Sequence, residues 1–284
     1  MLPLPWPFDR EYLQLALVGG LVVGVTAPLI GTFLVQKRLS LLGDGLGHVA
    51  FAGVAAGLFF GIWPIGPALV GAVLAACSIE WLRSRGRASG DLALAVFFYS
   101  GIAGGVVLIG LAGSLDASTL TYLFGSILTV SPDDAVVIGL LGLLIVGVIG
   151  LTWRALFAVV LDEQSARVAG LPVDRLNLVL AALAAVTVVA GMRVVGVLLV
   201  AALMVLPVGA ANRIGGSFRG TMLAASGIGG ASAVVGLAVA RGFNLAPGAT
   251  IVLVAAAVFL VTAVIGRRPL PALAGPGQER GVNR

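Results

Sequence analysis

A chain of 284 residues that is 60% hydrophobic, only 10% charged and of mean hydropathy +1.13 lacks the polar surface of a water-soluble domain. Its formal charge of +5 comes mainly from arginines set singly or in small groups at the ends of apolar runs, which argues against a nucleic-acid surface and reads as a set of membrane topology signals. The one cysteine, Cys77, excludes an internal disulfide or thiolate cluster and reads as a small core residue.

Residues 1–10 lack the basic segment before an apolar core that marks a cleaved signal peptide, so the first span is expected to be retained. Apolar runs follow at 11–35, 45–62, 64–82, 91–112, 134–152, 176–192, 194–212, 220–240 and 247–266. Each can cross a hydrocarbon core of about 30 Å, and none shows the period-two alternation of a barrel strand. The expectation is an all-α polytopic, multi-pass membrane protein with about nine transmembrane helices. Residues 117–131 are too short to cross and are expected to form a re-entrant or interfacial segment at the outer face. The membrane domain is expected over 1–268, and 269–284, with no apolar period, to be a disordered cytoplasmic tail.

With the N-terminus outside, this layout places Lys37, Arg38, the arginines of 83–87, Arg154, Arg167, Arg175, Arg213, Arg219 and the arginines after 266 on the cytoplasmic side. Only Arg10, Arg193 and Arg241 fall outside, as the positive-inside bias requires. Glycines four apart, such as Gly20 with Gly24 and Gly43 with Gly47, point to close helix packing. Pro28 and Pro207 fall inside spans and are expected to kink helices or free carbonyls. The sixth and seventh spans are separated only by Gly191, Met192 and Arg193, a very tight turn.

For chemistry, the absences come first. The sole lysine, Lys37, does not follow a glycine-rich phosphate loop, a single histidine cannot make an HExxH site, and no Gly-x-Ser-x-Gly elbow stands with it. An enzyme reading is poor. Asp44 and the sole histidine, His48, lie four residues apart and share one helix face. One oxygen and one nitrogen donor suit Zn²⁺, Mn²⁺ or Fe²⁺ better than Cu⁺. Spacing alone leaves open the alternative that Asp44 is a helix N-cap and His48 a packed polar residue. Glu80 and Asp91 read as ion-pair partners of the arginines near them, Asp133 and Asp134 as helix-start carboxylates, and Arg193 as an interfacial anchor.

The longest hydrophilic connection, 153–175, opens a short segment with Asp162 and Glu163, carries Ala166 and Ala169, and stops it at Gly170 and Pro172. It reads as a short amphipathic helix at the cytoplasmic face, either gripped by a partner or lying on lipid headgroups.

Four stretches together resemble the permease subunits of the metal-ion ABC importers for zinc, manganese or iron, the ZnuB-like family. They are 38–48 (RLSLLGDGLGH) with Gly53, 122–130 (YLFGSILTV), 162–171 (DEQSARVAGL), and 193–200 (RVVGVLLV) continuing to Leu206 and Pro207. One departure is visible, Gly47 where the family usually has serine. The resemblance implies a permease with no cofactor of its own that moves a divalent ion, Zn²⁺ or Mn²⁺. Its implied partners are a cytoplasmic ATP-binding cassette subunit, an extracytoplasmic metal-binding protein, a second permease protomer and the surrounding membrane lipid. It further implies that Asp44 and His48 contact the ion in transit. Asp162, Glu163, Ala166, Ala169, Gly170, Leu171 and Pro172 would form the helix that couples to the ATPase. The rivals are a secondary transporter working without ATP, and an ABC permease for an organometallic or vitamin substrate.

Overall fold

The computed structural model describes residues 7–87, 89–112, 123, 125 and 131–265. Among these residues the fold is all-helical, in the order α1 (Glu11–Gln36), α2 (Leu42–Phe59), α3 (Ile65–Ser84), α4 (Gly90–Ala112), α5 (Pro132–Leu161), α6 (Glu163–Val168), α7 (Val173–Gly191), α8 (Val197–Ile214), α9 (Phe218–Phe243) and α10 (Pro247–Ile265). Eight of them are long and apolar enough to cross a membrane, and α8 adds a shorter apolar stretch, Leu199–Ile214.

The ends are set by local chemistry. Ser131 caps α5 by accepting from the Asp134 amide while the Asp134 carboxylate accepts from the Ser131 amide, a reciprocal pair with Pro132 at the first helical position. Ser217 caps α9 by accepting from the Gly220 amide, and Asn244 closes the same helix in the left-handed region at φ +52.

Two boundaries differ from the sequence reading. The fifth span does not stop at 152: α5 continues to Leu161, past the polar step Thr152–Arg154. Its 30 residues rise about 45 Å, so the last turns extend beyond a hydrocarbon core. Aromatic side chains hold that extension: Phe33 of α1 meets Trp153 and Phe218 edge-on at 5.8 and 5.2 Å, and Trp153 stacks on Phe157. The connection between α7 and α8 runs from Met192 to Gly196, longer than the three-residue turn expected, and ends at Gly196 with φ +96, a conformation that a Cβ disfavours.

α1 is central, packed on α5, α7, α8 and α9. A Cβ at Gly31 would lie 1.8 Å from the Met204 carbonyl oxygen of α8, and one at Gly24 would lie 2.7 Å from the Gly229 carbonyl oxygen of α9. The packing is backbone on backbone, as small residues allow where lipid gives no hydrophobic drive between helices. Pro28 and Pro207 lie inside uninterrupted helices. Beside the carbonyl that Pro28 leaves without an amide, the Ser226 hydroxyl of α9 donates to the Val25 carbonyl at 3.1 Å. The outer faces of α4, α5 and α10 expose large apolar side chains, including Val106, Leu143 and Val264.

The expected re-entrant segment lies outside the described residues, apart from Leu123, Gly125 and Ser131. Leu123 packs against the core, and a Cβ on Gly125 would lie 2.6 Å from the Val194 carbonyl oxygen. The expected tail at 269–284 lies wholly outside them.

Candidate functional site

α2 begins at Leu42, with Leu41 in the capping position and no side-chain cap. Asp44 is therefore in the first turn, not at the N-cap, which corrects one of the two readings the spacing left open. Its charge still complements the positive end of the helix. His48 sits one turn further on, half-buried, with its ring edge-on to Phe98 of α4 at 4.4 Å. Asp44 also faces α4, lining a cavity of about 290 Å³ with Asp91, Leu94, Phe98 and Tyr99.

Glycines make this approach possible. A Cβ at Gly101 of α4 would lie 2.8 Å from the His48 carbonyl carbon, and one at Gly45 would lie 2.3 Å from a Leu94 methyl. On the opposite side of α2, a Cβ at Gly47 would lie 2.9 Å from the Val197 carbonyl oxygen at the start of α8. Gly47 thus has a physical role in this chain: without a side chain there, α2 can seat against the start of α8.

Among the described residues neither the Asp44 carboxylate nor the His48 ring has a hydrogen-bond partner, and no group of three or more His, Cys, Asp and Glu could hold a metal ion. The pair offers two donors of its own. Asp91, at the start of α4, is the other carboxylate that lines the same cavity.

The second expected element is α6, a six-residue helix between α5 and α7. Asp162 caps it, accepting from the Gln164 amide at 2.9 Å and the Ser165 hydroxyl at 2.5 Å. The Ser165 bond, followed by the amide bonds, holds the Asp162 carboxyl below the usual range. Gly170, at φ +82, turns the chain so that the Leu171 amide returns to the Ala166 carbonyl at 3.1 Å, and Pro172 caps α7.

The expected coupling residues do not share one face. Ala166 is buried and Glu163 points inward, whereas Asp162, Ala169, Gly170 and Pro172 are exposed and Leu171 is half-buried. Val168, which sequence reasoning passed over, is 89% exposed.

What the sequence did not indicate is the polar cluster under α6. Glu163 accepts from the Lys37 ammonium at the end of α1 and from Asn177 Nδ2 of α7 at 3.2 Å, and it lies 3.6 Å from the Arg83 guanidinium of α3. Arg83 also clasps Glu80 with bonds of 2.8 and 2.9 Å, the ion pairing expected of Glu80. Burial pushes the Glu163 carboxyl up, but the Lys37 bond and charge, with Arg83, outweigh it and leave the group below its ordinary value.

At the other end of the molecule Arg193 is not a free-standing anchor. Its guanidinium donates to Asp134 Oδ2 at 2.6 Å, with the two side chains 14% and 6% exposed, and ties the α7–α8 turn to the capped start of α5.

Against known proteins, the ABC 3 transport family matches residues 9–266. The manganese import system permease protein ScaB of Streptococcus gordonii is 31% identical, over 89% of this chain and 91% of its own length. The high-affinity zinc uptake system membrane protein ZnuB of Haemophilus influenzae is 28% identical over 89% and 97%. Among solved structures, PsaBC from Streptococcus pneumoniae in complex with Fab superposes with a TM-score of 0.81 at 31% identity, covering 91% of this chain and 93% of that one. The fold, its helix order and a match running nearly end to end establish that this multi-pass membrane chain is a member of the ABC 3 transport family.

Proposed function

We propose that this chain is the membrane-spanning permease subunit of an ABC importer for a divalent transition-metal ion, Mn²⁺ or Zn²⁺, with Asp44 and His48 as a transit site. The observation that carries the reading is the family match over 9–266, with relatives named for manganese and zinc import, on a chain whose one Asp–His pair at helical spacing faces α4, Asp44 lining the cavity there and His48 edge-on to Phe98. Oxygen and nitrogen donors suit these borderline ions. Two donors hold an ion briefly and release it, which transport demands, and water, other helices or a second permease protomer complete the shell.

The end carrying Lys37, Arg83 and α6 is assigned to the cytoplasm by the positive-inside bias. There the exposed rim of α6, with Asp162, Val168, Ala169, Gly170 and Pro172, is the seat for a separate ATP-hydrolysing subunit. An extracytoplasmic binding protein delivers the ion at the end marked by Asp134 and Arg193, and ATP-driven closure of the ATPase pair switches access between faces.

The test is uptake of Mn²⁺ and Zn²⁺ into liposomes containing the assembled complex. Uptake that requires ATP and co-purification of the ATPase subunit are expected. Uptake that persists with the ATPase inactivated would overturn the reading in favour of a secondary transporter.

A further inference from the structure

The one lysine of the chain is not used by the transit site or by the outward rim of α6, yet it is among the most enclosed charged groups described, its side chain only 5% exposed. A buried ammonium is costly unless paired, and here it is paired twice, with the Glu163 carboxylate of α6 and with Asn177 Oδ1 of α7 at 2.5 Å. Glu163 Oε1 is thereby a node where the end of α1, α3 through Arg83, α6 and α7 meet.

Lys37 also occupies a particular place along the chain. It caps α1 and stands seven residues before Asp44, and the turn between them has little slack. Arg38 is held in the left-handed region at φ +59, the Leu39 amide returns to the Leu34 carbonyl at 2.8 Å, and the Leu42 amide bonds the Leu39 carbonyl at 3.0 Å. A displacement of Lys37 therefore reaches the first turn of α2 and is not absorbed by a flexible loop.

We propose that Lys37 is a positioning residue that transmits the movement of α6 to the transit site, by linking Glu163 on α6 to the α1–α2 turn and so to Asp44 and His48. When α6 is drawn with the ATPase, the Lys37–Glu163 contact carries the turn with it, and the donors on α2 shift against Phe98 of α4 and the start of α8. This rests on the reading that α6 seats the ATPase.

The experiment uses the full complex of permease, ATPase subunit and binding protein in liposomes, with Mn²⁺ as the probe, and measures ions moved per ATP hydrolysed. Lys37→Met and Glu163→Ala are expected to keep the ATPase bound and hydrolysing while the ratio of ions to ATP falls roughly 2- to 30-fold, the range over which residues on a coupling network act. Lys37→Arg, which restores a cation to Glu163, is expected to recover most of the ratio. An unchanged ratio in Glu163→Ala overturns the proposal, and so does a fall in uptake matched by an equal loss of bound ATPase. The double change Lys37→Met with Glu163→Gln strands neither charge of the pair in the interior, so an unchanged ratio in it overturns the proposal even where a single variant does not assemble. Val168→Asp on the outward rim separates the two readings: if it leaves the ATPase fully bound, the seating of α6 is wrong, whereas loss of the ATPase there with an unchanged ratio in Glu163→Ala removes only the role of Lys37.

Discussion

At the scale of single residues, two substitutions test the close contacts that hold the helices, one behind the site and one at the opposite end of the bundle. Gly47→Ser puts a Cβ 2.9 Å from the Val197 carbonyl oxygen, a backbone atom that cannot rotate away. Thermal unfolding of the purified protein should show a loss of about 1–2 kcal/mol, the usual cost of overpacking. A serine tolerated without loss would mean that α8 yields at this point. Arg193→Ala leaves the largely buried Asp134 carboxylate with Ser131 alone, and about 3 kcal/mol should be lost in the same assay. The double change Arg193→Ala with Asp134→Asn should recover part of it. The sequence made Asp44 and His48 visible because four-residue spacing is a local property. It hid Lys37–Glu163 and Arg193–Asp134 because those partners lie 126 and 59 positions apart, and no local pattern records which helix ends meet in space.

At the scale of elements, α6 is too short to be stable alone and depends on its tethers. Its cap follows a definite pH course. The folded-state pKa of Asp162 is lowered, so the cap's contribution is complete above the ordinary aspartate value and is lost only as pH falls through the lowered one. Amide exchange at Gln164, corrected for the intrinsic rate, should stay slow from neutral pH down past the ordinary value, and Asp162→Ala should abolish that protection at every pH. Protection that disappears already near pH 6 would contradict the cap.

A second test at this scale concerns Phe33, fully buried where α1, the extension of α5 and the start of α9 converge. Phe33→Ala should cost about 3–5 kcal/mol in the thermal assay. The apolar runs showed where helices lie, because lipid-crossing segments announce themselves by composition. They misplaced the end of α5, because Thr152 and Arg154 break the hydropathy without breaking the helix, whose further turns are held by aromatic contacts with distant segments. The same limit applied to α6, whose residues were identified but whose inward and outward sides were not, since six residues have too little periodicity to define a face.

At the scale of the whole molecule, the helices are assembled by close glycine contacts around α1, and the two ends of the bundle carry different ionic ties. Glu163 with Lys37, Arg83 and Asn177 joins four elements at one end, and Asp134 with Arg193 joins two at the other. Between them, α2 brings Asp44 and His48 to the space facing α4, close to the start of the helix nearest the basic end. The account stands on that pair. Its most direct test is uptake of Mn²⁺ and Zn²⁺ by the assembled complex carrying Asp44→Ala or His48→Ala, with ATPase binding checked in each preparation. Each variant is expected to lose at least about ten-fold in uptake while the complex stays intact, no less than the loss that follows removal of a group supporting a metal ligand. Normal uptake in both variants would contradict the transit site even with the family membership unchanged.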